Sequence, residues 1–148
     1  MTTDVSISIT APRERVWSLV TDIDQSPRFV SGIERVEVLE RPSEGIRGLK
    51  WVETRTLFGK TATETMWISE AVAPDYYVTE ARSHGSFYRT EVRLSDEGAG
   101  TRLSMVFEAK PEATMAKILS LVLGGMIKRS VRKALLQDLR DIKQAAEA

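Results

Sequence analysis

From Ile33 to Lys110 the chain alternates apolar and polar side chains with a period of two, and clusters of turn-forming residues cut this stretch into six segments. The breaks fall at Pro42 to Gly48, Phe58-Gly59-Lys60, Ala73-Pro74-Asp75, His84-Gly85 and Asp96 to Gly100. Strands this close together, joined by short turns, have to pair as an antiparallel meander, because parallel neighbours need long crossovers. Ahead of the meander, Val5, Ile7 and Ile9 alternate with polar residues as one more strand. Ala11-Pro12 ends that strand and suits the opening of a helix carrying Val16, Trp17, Leu19 and Val20. A second short helical turn is expected from Pro27 to Val30, stopping at Gly32, and Pro111 opens a helical stretch that runs to the end. The expected fold is α+β: a curved antiparallel sheet of about seven strands around a long C-terminal helix. The expected order is strand, two helices, six strands, helix, within a single domain over residues 1–148.

The strand pattern also predicts which side chains share a face. A two-residue turn at Gly59-Lys60 sets Trp51 opposite Ile68, Glu53 opposite Met66 and Arg55 opposite Glu64, with Thr54 and Thr56 on the other face opposite Thr65 and Thr63. A turn at His84-Gly85 pairs Tyr77 with Val92, Thr79 with Thr90 and Ala81 with Tyr88, and turns Glu80 and Arg89 to the opposite face. The hairpin through Asp96 to Gly100 sets Leu94 against Leu103, Val92 against Met105, and Thr90 against Phe107. All three agree on one inner face, which also takes in Leu57 and Met66. That face is mostly apolar but holds threonines, two tyrosines and an expected Arg55–Glu64 pair. Groups of that kind suit a cavity that orients a ligand better than they suit a plain core.

On the C-terminal helix, at about 100° per residue, Met115, Ile118, Leu119, Val122 and Met126 share one stripe. Ile127, Val131, Ala134, Leu135, Leu139 and Ile142 form another, centred roughly half a turn away. Gly124-Gly125 sits where the stripe changes, so a break or bend is expected there. The second half would clamp to the sheet, and the first would line or cover the pocket entrance. The expected ligand-binding set is therefore Trp51, Arg55, Glu64, Met66, Tyr77, Thr79, Tyr88, Thr90, Met105 and Phe107 from the sheet, with Met115, Leu119 and Val122 from the helix.

Composition removes several chemistries. Lys plus Arg and Asp plus Glu are 21 each, so no net basic charge points to nucleic acid. With no cysteine there is no thiol nucleophile or thiolate site, and with one histidine, His84 in a tight turn, a buried relay is not expected. The carboxylates are scattered, and Glu97-Gly98-Ala99-Gly100 lies between strands, where it cannot serve as a phosphate loop. Neither metal nor cofactor is expected. The longest apolar run, Ile118 to Ile127, is too short to span a bilayer, and Met1-Thr-Thr-Asp-Val lacks signal-peptide features, so a cytoplasmic monomer is expected.

Val5-Ser-Ile-Ser-Ile-Thr-Ala-Pro-Arg-Glu-Arg-Val-Trp, Trp51-Val-Glu-Thr-Arg with its Phe58-Gly59 turn, and Gly100-Thr-Arg-Leu together resemble the START-like, helix-grip superfamily. The resemblance is strongest to its polyketide cyclase/dehydrase branch and spans essentially the whole chain. It implies a cavity between sheet and C-terminal helix. It carries over no universal catalytic signature, since the superfamily includes cyclases, lipid carriers, quinone-binding proteins and stress proteins.

Two functions follow as expectations. One is binding or carrying a small hydrophobic molecule such as a lipid, quinone or aromatic polyketide. The other is a metal-free cyclase or dehydratase of an aromatic or polyketide precursor, with Glu64 as base and Arg55 and Tyr77 or Tyr88 holding the developing enolate. A third, a protein-interaction module, would use the apolar segment Leu119 to Met126.

Overall fold

The computed structural model describes residues 1–57 and 59–148, for Leu57 the backbone alone. The expected inward Leu57 side chain and Phe58, part of the predicted turn, lie outside the described residues. The elements are β1 (Thr2–Ile9), α1 (Arg13–Val20), a 3-10 turn (Ile23–Arg28), β2 (Ile33–Glu40), β3 (Lys50–Leu57), β4 (Lys60–Val72), β5 (Tyr76–Ser83), β6 (Ser86–Glu97), β7 (Gly100–Pro111) and α2 (Thr114–Glu147). The sheet is seven-stranded, antiparallel and curved, in the order β1-β7-β6-β5-β4-β3-β2. The strand that begins the chain thus sits at one edge and β2 at the other, and α1 with the 3-10 turn carries the chain between them. Pro12, extended at φ −66°, accepts the first α1 bonds from Arg15 and Val16. The second helical turn lies over Ile23–Arg28, earlier than the expected Pro27 to Val30: Pro27 sits inside it, and Phe29 and Val30 close it through bonds to Ser26.

Two of the three predicted hairpin registers are observed, Tyr77 with Val92 and Ala81 with Tyr88 across β5–β6, and Leu94 with Leu103 and Val92 with Met105 across β6–β7. The β3–β4 register differs. Leu57 pairs with Lys60, which places Trp51 opposite Met66, Glu53 opposite Glu64 and Arg55 opposite Ala62. A shift by two leaves each side chain on its predicted face and changes only its partner. Irregularities between Ile33 and Arg35, Val38 and Glu40, and Ile68 and Glu70 interrupt the β2, β3 and β4 ladders, where bulges add twist and curvature.

Contrary to the expected break, α2 runs as one continuous helix through Gly124-Gly125. Its two ends are held. Near its start, Glu112 and Ala113 donate to the Gly85 carbonyl at 2.8 and 2.9 Å. Near its end, Leu139, Ile142 and Ala146 are buried in the core, Arg15 donates to the Ala146 carbonyl at 2.8 Å, and Lys143 donates to the Ser8 carbonyl at 2.9 Å. Two interior glycines cost a helix about 1 kcal/mol each, which such anchoring readily outweighs. Because the helix is continuous, the two apolar stripes stay on different sides of it.

Gly85 is where the β5–β6 hairpin touches α2. Its φ is +76°, and a Cβ there would stand 2.7 Å from the Ala113 Cβ, an atom with no rotamer to escape by. Gly98 has a similar φ of +61° with nothing near it. Gly98→Ala should therefore cost roughly 1 kcal/mol in chemical denaturation and Gly85→Ala roughly 2–3 kcal/mol, the excess measuring the contact with α2. Equal losses would show that the α2 start yields freely.

Candidate functional site: a cavity with a buried charge cluster

Between the inner face of the sheet and α2 lies a cavity of about 710 Å³. The residues that make it possible are small. Ala116, Ser120 and Gly124 recur every four positions and form the inward line of α2 over the cavity, where larger side chains would fill it. The sheet contributes Trp51, Met66, Tyr77, Thr79, Tyr88, Thr90, Met105 and Phe107, together with Arg55 and Glu64, so each sheet residue expected to face the ligand lines this space. From α2, Met115 and Leu119 reach its mouth. Val122 does not: it points into solvent, 73% exposed, because the continuous helix carries its stripe outward.

The expected Arg55–Glu64 pair is absent among the described residues. Instead Arg55 Nη1 donates to both carboxylate oxygens of Asp138 at 3.1 and 3.0 Å, and Nε donates to Glu53 Oε2 at 3.2 Å. Glu53 Oε1 lies 3.4 Å from Trp51 Nε1. The guanidinium thus ties β3 to α2. Asp138 was legible and missed: it falls within the stripe of Val131, Leu135, Leu139 and Ile142, and a lone acid on a buried face needs a partner. Glu53, by contrast, was on the predicted inner face.

Burial works against the Arg55 charge, but Asp138 and Glu53 outweigh it and leave its pKa raised. Burial also pushes Asp138 up to about 6; Arg55 opposes this, while Glu53 and Asp141 add to it. Glu64, half-buried and beside Glu53, is raised by burial first and then by that neighbouring charge, with His84 and Arg55 opposing. His84 lines the cavity beside Glu64's position while remaining exposed at the hairpin tip, its Nδ1 2.6 Å from Ser83 Oγ.

The two tyrosines differ. Tyr77 is buried edge-on to Trp17 at 5.9 Å, and its hydroxyl donates to the Val20 carbonyl at 3.3 Å. That bond withdraws it from the role of enolate partner. Tyr88 stacks on Phe107 at 5.8 Å, and its hydroxyl has no hydrogen-bond partner among the described residues. Among those residues there is also no cluster of His, Asp or Glu fit to hold a metal ion.

The Asp138 shift has a definite sign. A carboxyl whose pKa rises from 3.8 to about 6 on folding binds its proton more tightly in the folded chain. Its contribution to stability is complete below about pH 4 and is lost as pH climbs through 6, with Glu64 adding to the same slope. Denaturation midpoints measured across this window should fall with rising pH more steeply in the wild type than in Asp138→Asn. An identical slope in the two proteins would place the Asp138 proton equilibrium at its unfolded value.

Solved structures share this architecture. A START superfamily protein from Mycobacterium smegmatis superposes with a TM-score of 0.84 at 15% identity, over 99% of this chain and 97% of that one. A protein from Thermus thermophilus gives 0.83 at 18% identity, over 99% and 97%. The Zhui aromatase/cyclase from Streptomyces sp. R1128 gives 0.75 at 17% identity, over 99% and 93%. At these identities the likeness is one of fold. None of the curated proteins matches this chain by sequence. The family model described as "Polyketide cyclase / dehydrase and lipid transport" matches residues 1–147, and the chain belongs to that family.

Proposed function

We propose that this protein binds and carries a small, largely apolar molecule whose polar end is an uncharged hydrogen-bond donor such as a hydroxyl. The observation that carries this reading is the charge balance of the cavity. Its wall is apolar apart from a few groups, and among those Glu53, Glu64 and Asp138 stand against the Arg55 guanidinium, both of whose acidic partners are already in place, and the Met1 amino group, which already donates to the Ala109 carbonyl. A free carboxylate entering such a site would meet unneutralised like charge in a region of low dielectric. A phenol or alcohol would instead find acceptors. Tyr88 and Phe107 offer a stacked pair for a flat ring, and about 710 Å³ is ample for a lipid-sized or polycyclic guest. The family description, which includes lipid transport, agrees with a carrier.

Native mass spectrometry of the purified protein, followed by organic extraction, should reveal a bound neutral apolar molecule. Gly124→Leu then separates binding from stability. A Cβ at Gly124 meets no atom within 4 Å, and the helix interior gains from losing a glycine. Stability should rise by about 0.5–1 kcal/mol while the new side chain occupies the cavity and affinity for the extracted molecule falls at least about tenfold. Retained affinity would put the ligand elsewhere.

Glu64 favours a second reading, a cyclase or dehydratase. It is a cavity carboxylate with a raised pKa and no ion-pair partner among the described residues. Such a group can take a proton from the carbon beside a carbonyl and deliver it to a departing hydroxyl, so that a carbon–carbon double bond forms and water leaves. Arg55, committed to Asp138 and Glu53, is poorly placed to hold the enolate, which leaves Tyr88 for that task. On this reading Glu64→Gln lowers turnover of a polyketide-like hydroxyketone by about 100-fold or more, with affinity little changed. Turnover unaffected by the substitution would remove Glu64 from the chemistry.

A further inference from the structure

Apolar side chains that a folded protein leaves in water are ordinarily scattered singly over its surface. Here they are concentrated. Of the ten large hydrophobic residues exposed among the described residues, eight lie between Met115 and Ile127 on α2, with Leu121 at 87% and Val122 at 73%. Met115, Ile118, Val122 and Met126 follow one another at spacings of three, four and four along the outer side of the helix. Continuing that line by three and then four residues reaches Arg129 and Lys133.

The second observation is electrostatic. From Thr114 to Gln137 the helix carries Lys117, Lys128, Arg129, Arg132 and Lys133 and no acidic residue, in a chain whose formal net charge is zero. Arg132 donates to the Asp4 carbonyl at 3.0 Å. The other four form no ion pair among the described residues, although eleven ion pairs are formed elsewhere. An apolar face continuous with uncompensated cations is complementary to a surface that is apolar beneath and anionic above.

We propose that the N-terminal half of α2 docks on the surface of an anionic lipid bilayer. Met115, Ile118, Leu121, Val122 and Met126 enter the boundary between headgroups and acyl chains, and Arg129, Lys128 and Lys133 meet lipid phosphates. No helix of the described residues is long and apolar enough to cross a membrane, so α2 lies along the surface instead. A second copy of the chain fits less well. Packing two such faces together sets cations against cations in one direction and against apolar side chains in the other. Because Met115 and Leu119 also line the cavity mouth, docking brings that opening to the lipid. The proposal stands apart from the identity of the cavity's guest.

The test is flotation of the full-length protein with vesicles of phosphatidylcholine alone and of phosphatidylcholine mixed with phosphatidylglycerol. Binding is expected to the mixed vesicles and to weaken as salt rises from about 0.1 M to about 0.5 M. Lys128→Gln with Lys133→Gln should lower the partition coefficient roughly thirtyfold, as the loss of two cations near an anionic surface requires. Val122→Asp, at a solvent-exposed position, should abolish binding while circular dichroism and melting temperature stay close to wild type. Absence of binding to the mixed vesicles overturns the proposal, and so does equal binding by the variants. Sedimentation as a dimer that Val122→Asp dissociates, without vesicle binding, overturns it in favour of a second copy.

Discussion

The buried contact of Arg55 with Asp138 and Glu53 is the point on which the geometry of this molecule turns. Arg55 sits on β3 near one edge of the sheet, and Asp138 lies on the buried face of the last turns of α2. Arg55 Nη1, donating to both Asp138 carboxylate oxygens at 3.0–3.1 Å, holds helix and strand together from inside. The carboxylate is the ill-accommodated partner: burial raises Asp138 despite the guanidinium, so the pair does not offset the full cost of removing that carboxylate from water. What it gives is placement. It acts with the apolar anchors Leu139, Ile142 and Ala146, and with Asp141, which accepts from the Ser31 N–H and hydroxyl at 2.8 and 2.7 Å. The C-terminal half of α2 is thereby fixed against β1, α1 and the loop after the 3-10 turn, and the rest of the helix extends over the concave sheet from a rigid base.

That arrangement explains how a cavity can survive in a protein of 148 residues. Close packing is the default for an interior, and an amphipathic helix would normally press its apolar stripe onto the sheet. Here the first half of α2 offers the sheet Ala116, Ser120 and Gly124, while Ile118, Leu121, Val122, Leu123 and Met126 face the other way. The helix is held at both ends, by the Gly85 carbonyl and by the buried C-terminal turns, so it spans the gap without collapsing into it.

Much of this was legible in the sequence. The two faces of the sheet followed from strict alternation, since a strand with one buried face has only two choices of orientation. The β3–β4 register was not fixed by the same logic. A slip of two keeps Trp51, Glu53 and Arg55 facing inward while exchanging their partners, so hydrophobicity cannot distinguish Arg55 opposite Glu64 from Arg55 opposite Ala62. The true partner, Asp138, lay more than eighty residues away and was marked only by being an acid within an apolar stripe. The expected break came from weighing two glycines and a change of stripe as though each stripe had to meet the sheet. Tertiary anchoring decided otherwise, and the unsatisfied stripe stayed in solvent.

The cavity and the exposed face are two consequences of one continuous helix. The uninterrupted helix leaves an interior void and an exterior patch on different sides of the same few turns. Each is individually unfavourable, the void through lost dispersion contacts and the patch through apolar hydration. A guest in the cavity would recover the first loss, and a surface against α2 the second. Met115 and Leu119 both line the cavity and stay exposed, so the void and the patch meet at the same residues.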